Sequence, residues 1–234
     1  LPQTVIAMQP IQLFDPESST YTYLLGCSER REAVLIDPVR EQADRDLAML
    51  TETGMRLTWI LETHVHADHV TGARALKERT GARTAVSLHC GATGFDQLLV
   101  DGESIVFGCE VVRAIATPGH TPGSTCYLWH DRLLTGDTLL IGGCGRTDFQ
   151  NGSAEALFES ITGKIFALPD DTLVYPGHDY KGRRVSTVAE EKAMNPRLAG
   201  RTREEFVRIM QSLDLPQPRK IATAVPANLQ GGTA

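Results

Sequence analysis

Apolar positions along this chain fall more often into short continuous runs bounded by turn residues than into helical spacing. Ile6 to Leu13 and Tyr21 to Cys27 are apolar and aromatic runs parted by the turn-forming stretch Asp15-Pro16-Glu17-Ser18-Ser19, which predicts two strands. Ala33 to Ile36 predicts a third, closed by Asp37-Pro38. From Glu41 to Thr53 the spacing turns helical, with Ala43, Leu47 and Leu50 on one face and Gly54 as the stop. Leu57 to Glu62 reads as strand, Val70 to Arg79 as a helix ended by Thr80-Gly81, and Thr84 to Leu88 as strand again.

Ser104 to Thr135 predicts a meander of short strands. Ser153 opens a helix with Leu157, Phe158, Ile161 and Ile165 inward, in spite of Gly163 inside it. Thr172 to Tyr175 predicts a buried strand, and a helix follows near Val185 to Met194, broken by Asn195-Pro196. Thr202 and Glu205 form a capping box for a last helix carrying Phe206, Ile209, Met210 and Leu213. The Pro-rich stretch from Leu215 predicts a tail wrapped on the surface. Strands with helices interspersed in both halves imply an α/β sandwich, sheets inside and helices outside. One domain over residues 1–234 accommodates them, ending in the helix and tail that begin near Thr202.

Composition narrows the class. A chain of 234 residues buries a full core without disulfides or a structural metal. Its formal charge of −6 excludes a general nucleic-acid coat, whose affinity rests on Lys and Arg. The five cysteines, Cys27, Cys90, Cys109, Cys126 and Cys144, are odd in number and form no CxxC pair. They read as reduced thiols of a cytosol-like compartment. No apolar run is long enough for a membrane helix, and the first residues lack a signal-peptide pattern.

Histidine placement changes the picture most. Directly after the strand ending at Glu62 comes Thr63-His64-Val65-His66-Ala67-Asp68-His69. Three imidazoles and a carboxylate this close would repel one another if protonated and bury little apolar surface if neutral. A metal resolves both problems, because it takes neutral imidazole nitrogen and anionic oxygen. Three further donors each follow a predicted strand: His120 in Thr117-Pro118-Gly119-His120-Thr121-Pro122-Gly123, Asp137 in Leu134-Thr135-Gly136-Asp137, and His178 in Tyr175-Pro176-Gly177-His178-Asp179-Tyr180. Glycine and proline turn the chain there and present each donor on a loop.

HxHxDH followed by spaced His, Asp and His resembles the metallo-β-lactamase superfamily. The resemblance implies an αββα sandwich with a metal site at one edge between the sheets, and it makes Asp37 a supporting aspartate beside the ligands. All positions for two metals are present, which on inventory alone points to a zinc thioester hydrolase of the glyoxalase II type. That class has a longer helical domain after its last histidine than the stretch from His178 to Ala234 provides.

More specific stretches point elsewhere. Thr135 to Gln150, Tyr175 to Gly182, Asn195-Pro196-Arg197-Leu198 and Ala224-Val225-Pro226-Ala227-Asn228 resemble the persulfide dioxygenases, as does THVHADH itself. This resemblance implies a mononuclear non-haem iron enzyme that oxidises glutathione persulfide with O2 to sulfite and glutathione, within sulfide catabolism. Carried over, the ligands of one Fe(II) per chain are His64, His120 and Asp137. His66, Asp68, His69 and His178 then support the ligands from behind.

A substrate with two carboxylates needs cations. Arg146 is suited to hold one carboxylate, with Tyr180 and Lys181 beside it. Asn228 is a further substrate candidate from the tail resemblance. Cys144 is either a small buried residue beside a Gly-Gly turn or a thiol acting near the iron. The expected partners are the persulfide and O2, with no nucleic acid and no membrane. Size and acidity are compatible with a homodimer, and reduced cysteines suit bacterial cytoplasm or mitochondrial matrix alike.

Overall fold

A computed structural model describes residues 9–233. Six strands form the first sheet, in the order β1 (Ile11–Asp15), β2 (Thr20–Cys27), β3 (Glu32–Ile36), β4 (Arg56–Leu61), β5 (Arg83–Ser87) and β6 (Gln97–Leu99). The second sheet holds β7 (Ser104–Phe107), β8 (Glu110–Ala116), β9 (Thr125–Trp129), β10 (Arg132–Gly136), β11 (Leu173–Pro176) and β12 (Ser186–Thr187), running in space from β12 to β7. Hairpins build β1–β3 and β7–β10, while β3 to β6 run parallel, as do β10 and β11.

Strand alternation explains the layering. Tyr23, Leu25, Val34, Ile36, Trp59 and Leu61 face the second sheet and meet Val112, Ala114, Tyr127, Trp129 and Leu134 in the central core. Their neighbours Leu24, Ala33, Leu35 and Ile60 point outward, under α1 (Ala43–Thr53) and α2 (Ala73–Thr80). On the other side, Leu133 and Val174 are covered by α3 (Ala154–Ser160), α4 (Val188–Met194) and α5 (Arg203–Gln211), through Leu157, Val188, Phe206 and Met210. The expected αββα sandwich is therefore the observed one.

Local signals held where they rested on capping. Gly54 ends α1 in the left-handed conformation, and Thr202 and Glu205 form both bonds of their capping box. The chain departs from expectation in four places. The helix expected from Val70 starts at Ala73, because Val70 to Gly72 is tied to the loop after β3: Arg40 N–H bonds Val70 C=O and Gly72 N–H bonds Pro38 C=O. β6 carries too few residues to read from periodicity. Ser186 and Thr187 are extended and form β12 before α4 begins. The Pro-rich tail contains a helix, α6 (Ile221–Asn228). Pro226 removes one N–H there, yet Ala224 and Ala227 pack on Val70 and hold the turn in place. Of the strand expected from Ile6 to Leu13, the first three residues lie outside the described chain.

Candidate metal centre

The ligand loops leave one end of the sandwich. Thr63 to His69 follows β4, His120 lies in the β8–β9 loop, Asp137 follows β10, and His178 follows β11. The loops are joined by backbone bonds: Thr125 N–H to Thr63 C=O, Tyr21 N–H to Gly177 C=O, and Gly177 N–H to Gly136 C=O. Five of the chain's histidines are brought together there and are buried.

His64, His120 and Asp137 present one ligand atom each, all within 4.8 Å of one another. Asp137 Oδ2 lies 3.6 Å from His120 Nε2 and 3.9 Å from His64 Nε2. The opposite nitrogen of each imidazole is already used. Thr63 donates its hydroxyl to Asp37 Oδ2 at 2.7 Å, so it accepts from His64 Nδ1–H at 2.9 Å. His120 Nδ1–H donates to the Arg146 carbonyl at 2.7 Å. Both rings are thereby set with a lone pair on Nε2, facing the carboxylate, as a metal requires. Burial first, and then the neighbouring rings of His66 and His120, push His64 well below the usual imidazole range. The donor set fits a divalent cation.

The remaining donors surround this cluster. His66 points Nε2 at Asp37 Oδ1, 3.0 Å away, and at Glu62 Oε2, 3.2 Å away. Against the cost of burial, those two carboxylates hold His66 well above its ordinary value. Asp68 Oδ2 accepts from the Thr20 hydroxyl at 2.8 Å and from His69 Nδ1–H at 3.0 Å. His178 donates Nδ1–H to the Ser19 carbonyl at 2.8 Å and brings Nε2 to 3.3 Å from Asp137 Oδ1. His66 Nδ1, His69 Nε2 and Asp137 Oδ1 are buried and have no hydrogen-bond partner among the described residues. His66, Asp68 and His69 form a second close cluster.

Glycine makes the approach possible. A β-carbon on Gly177 would stand 2.7 Å from Asp137 Oδ1, and one on Gly145 would stand 2.2 Å from the Asp137 carbonyl and 2.9 Å from His120 Nδ1. Sequence reasoning missed Thr63 and Thr20 as working parts, along with Glu62 and Thr71, whose hydroxyl bonds Glu62. Thr63 stood inside the motif, and its place between Asp37 and His64 was the only available signal. Thr20 is distant in sequence and gave none.

Substrate candidates are placed unevenly. Tyr180 is 78% exposed, its ring parallel to His178 at 6.1 Å between centroids. Lys181 is exposed beside it. The Arg146 charge acts on Tyr180, yet its guanidinium is engaged: Nε and Nη2 donate to Asp148, Nη1 donates to the Pro216 carbonyl, and the group lies over Phe149.

Two candidates lie apart from the mouth. Asn228 does not line the mouth. It is buried behind the ligand loop, its Oδ1 accepting from Thr71 N–H and its Nδ2 donating to the carbonyls of His66 and His69. Its amide serves the loop backbone, which is why the tail carries it. Cys144 packs away from the ligands. Its sulfur lies 3.6 Å from Met210 Sδ and 3.5 Å from Arg197 Nη1, and burial raises its pKa. Its place is the contact of α5 with the loop after β10.

Residues 15–178 match the model of the metallo-β-lactamase superfamily. The mitochondrial persulfide dioxygenase ETHE1 of Bos taurus is 51% identical over 224 residues, which cover 94% of this chain and 87% of that protein. The crystal structure of ETHE1 from Myxococcus xanthus superposes with a TM-score of 0.95 at 55% identity, covering 97% of this chain and all of the other. A metallo-β-lactamase from Staphylococcus aureus gives a TM-score of 0.88 at 28% identity, over 95% of this chain and 72% of that one. The chain belongs to the metallo-β-lactamase superfamily and, within it, to the persulfide dioxygenases.

Proposed function

We propose that this chain oxidises glutathione persulfide with O2 to sulfite and glutathione, using one Fe(II) held by His64, His120 and Asp137. The observation that carries this reading is the two-histidine, one-carboxylate cluster within 4.8 Å, with each imidazole's second nitrogen committed elsewhere. Such a set suits Fe(II) and leaves neighbouring positions open for two reactants. Fe(II) bound there would supply O2 activation next to the persulfide sulfur. Kinship to proteins named persulfide dioxygenases supports the same substrate.

The chain's own residues do the rest. Asp37 fixes His64 through Thr63, and the Arg146 carbonyl fixes His120. His178 Nε2, 3.3 Å from Asp137 Oδ1, flanks the carboxylate. Tyr180 flanks the mouth and offers a phenolic proton to the substrate. Its hydroxyl lies above the ordinary phenol value of 10 and stays protonated at neutral pH. Lys181 supplies positive charge for an anionic thiol. Arg146 would bind a glutathione carboxylate by giving up one of its bonds to Asp148.

Bacterial cytoplasm or mitochondrial matrix suits the reading. Among the described residues no helix is long and apolar enough to cross a membrane. The balance is one persulfide, one O2 and one water giving one glutathione, one sulfite and two protons. Sulfite and glutathione appearing in step with O2 consumed support the proposal; thiol release without O2 consumption contradicts it.

A further inference from the structure

The end of the sandwich remote from the metal centre carries a pair of thiols. Cys27 closes β2 and pairs with Glu32 at the start of β3, whereas Asp37 and the ligands lie beyond the other end of that strand. Opposite Cys27, the β7–β8 hairpin turns in two residues, Gly108 and Cys109. That turn reaches from the second sheet onto the first. The two sulfurs, 82 residues apart in sequence, lie 2.8 Å apart as free thiols. Cys27 is fully buried and Cys109 is exposed.

The surroundings favour an anion on Cys27. Its Sγ accepts from the N–H of Cys109 at 3.3 Å and from the N–H of Arg30 at 3.4 Å. Burial alone would raise this thiol; the bond from the Cys109 thiol and these N–H groups outweigh it and hold it below its usual value. Cys109 keeps the shared proton, and the bond to Cys27 pushes it up to about 11. The hairpin is shaped for contact. Gly108 has φ +59°, and a β-carbon on it would stand 2.7 Å from Cys27 Sγ. Its N–H is anchored on Glu32 Oε2 at 2.6 Å. Exposure, an accepting nest and a partner thiol together make a resolving pair, which a solitary buried cysteine would not.

We propose that Cys27 and Cys109 form a thiol–disulfide couple, oxidised by small-molecule disulfides and reduced by small thiols, that stitches the two sheets at the end remote from the metal. The exposed Cys109 sulfur attacks one sulfur of RSSR while its proton passes to Cys27, and the first RS⁻ leaves. Cys27 then attacks the Cys109 sulfur as its proton passes to the departing group, and the second half leaves as RSH. The protein loses two electrons and the shared proton; RSSR gains the electrons and departs as one thiol and one thiolate. Closing so long a loop stabilises the folded chain relative to the unfolded one.

The test treats the metal-loaded protein with oxidised glutathione and maps the cysteine peptides without reduction. The expected result joins the Cys27 peptide to the Cys109 peptide, retains no glutathione on either, and raises Tm by several degrees, all reversed by reduced glutathione. Cys109→Ser, a change at an exposed turn, leaves Cys27 free and abolishes the Tm shift. Cys27→Ser, where it folds, traps glutathione on Cys109. The proposal fails if wild type holds glutathione on Cys109 with no cross-link. It also fails if both thiols stay free at oxidant levels that oxidise dithiothreitol.

Discussion

His66 turns Nε2 toward Asp37 Oδ1, 3.0 Å away, and leaves Nδ1 without a partner at the metal centre. The same aspartate reaches His64 through Thr63, so one carboxylate orients two imidazoles. Asp37 has φ +54°, a left-handed conformation that costs a non-glycine residue about 1–2 kcal/mol. The backbone keeps that cost because the turn after β3 is what aims the carboxylate.

Replacing Asp37 by Asn keeps the size and removes the charge. Metal affinity is expected to fall about 10–100-fold, with the fold intact. A chelator competition titration measures it. Unchanged affinity would remove Asp37 from the support of His64.

Gly177→Ala places a methyl 2.7 Å from Asp137 Oδ1 in the original geometry. Asp137 must rotate, and bound metal is expected to drop well below that of wild type while circular dichroism changes little. Metal analysis of the purified variant checks this. Full metal content would show that the loop yields without moving Asp137.

Asn228→Ala removes the amide that joins α6 to the ligand loop and strands the N–H of Thr71 and the carbonyls of His66 and His69. The expected loss is about 1–3 kcal/mol of stability together with weaker metal binding. Urea unfolding and chelator competition report the two separately. Impaired substrate affinity at normal stability would instead restore a substrate role.

Asp46 on α1 is buried with Oδ2 unpartnered, and burial outweighs Arg45 to push it up to about 6 from 3.8. The folded state holds this proton to higher pH than the unfolded chain does. Its contribution to stability is therefore full below pH 3.8 and is lost as pH rises to about 6. Asp46→Asn removes the dependence, so the variant should gain on wild type by about 1–3 kcal/mol between pH 4 and pH 7. Urea unfolding of both proteins at the two values decides it; a pH-independent difference would contradict the burial argument.

How much of this was legible in the residues follows from how local each signal is. The sandwich was, because the apolar runs of β2 and β3 and the caps at Gly54 and Thr202 act within a few residues. The clustering of donors was, because three loops carry His or Asp beside Gly or Pro just past strands and the fourth packs three His and one Asp into six residues after β4. The roles of Asn228, Thr20 and Cys144 were not. Each is set by a partner far along the chain: the His66 and His69 carbonyls for Asn228, Asp68 for Thr20, Met210 for Cys144. Pairing of Cys27 with Cys109 is hidden for the same reason, since only the packing of the two sheets brings the β7–β8 hairpin against β2.

We propose that His64, His120 and Asp137 hold one iron that turns O2 onto a persulfide. Metal analysis of the purified chain, combined with O2 uptake on glutathione persulfide, tests it most directly. About one iron per chain is expected, with O2 consumption that disappears in His64→Ala together with the iron. About two zinc ions per chain, thioester cleavage and no O2 consumption would contradict it.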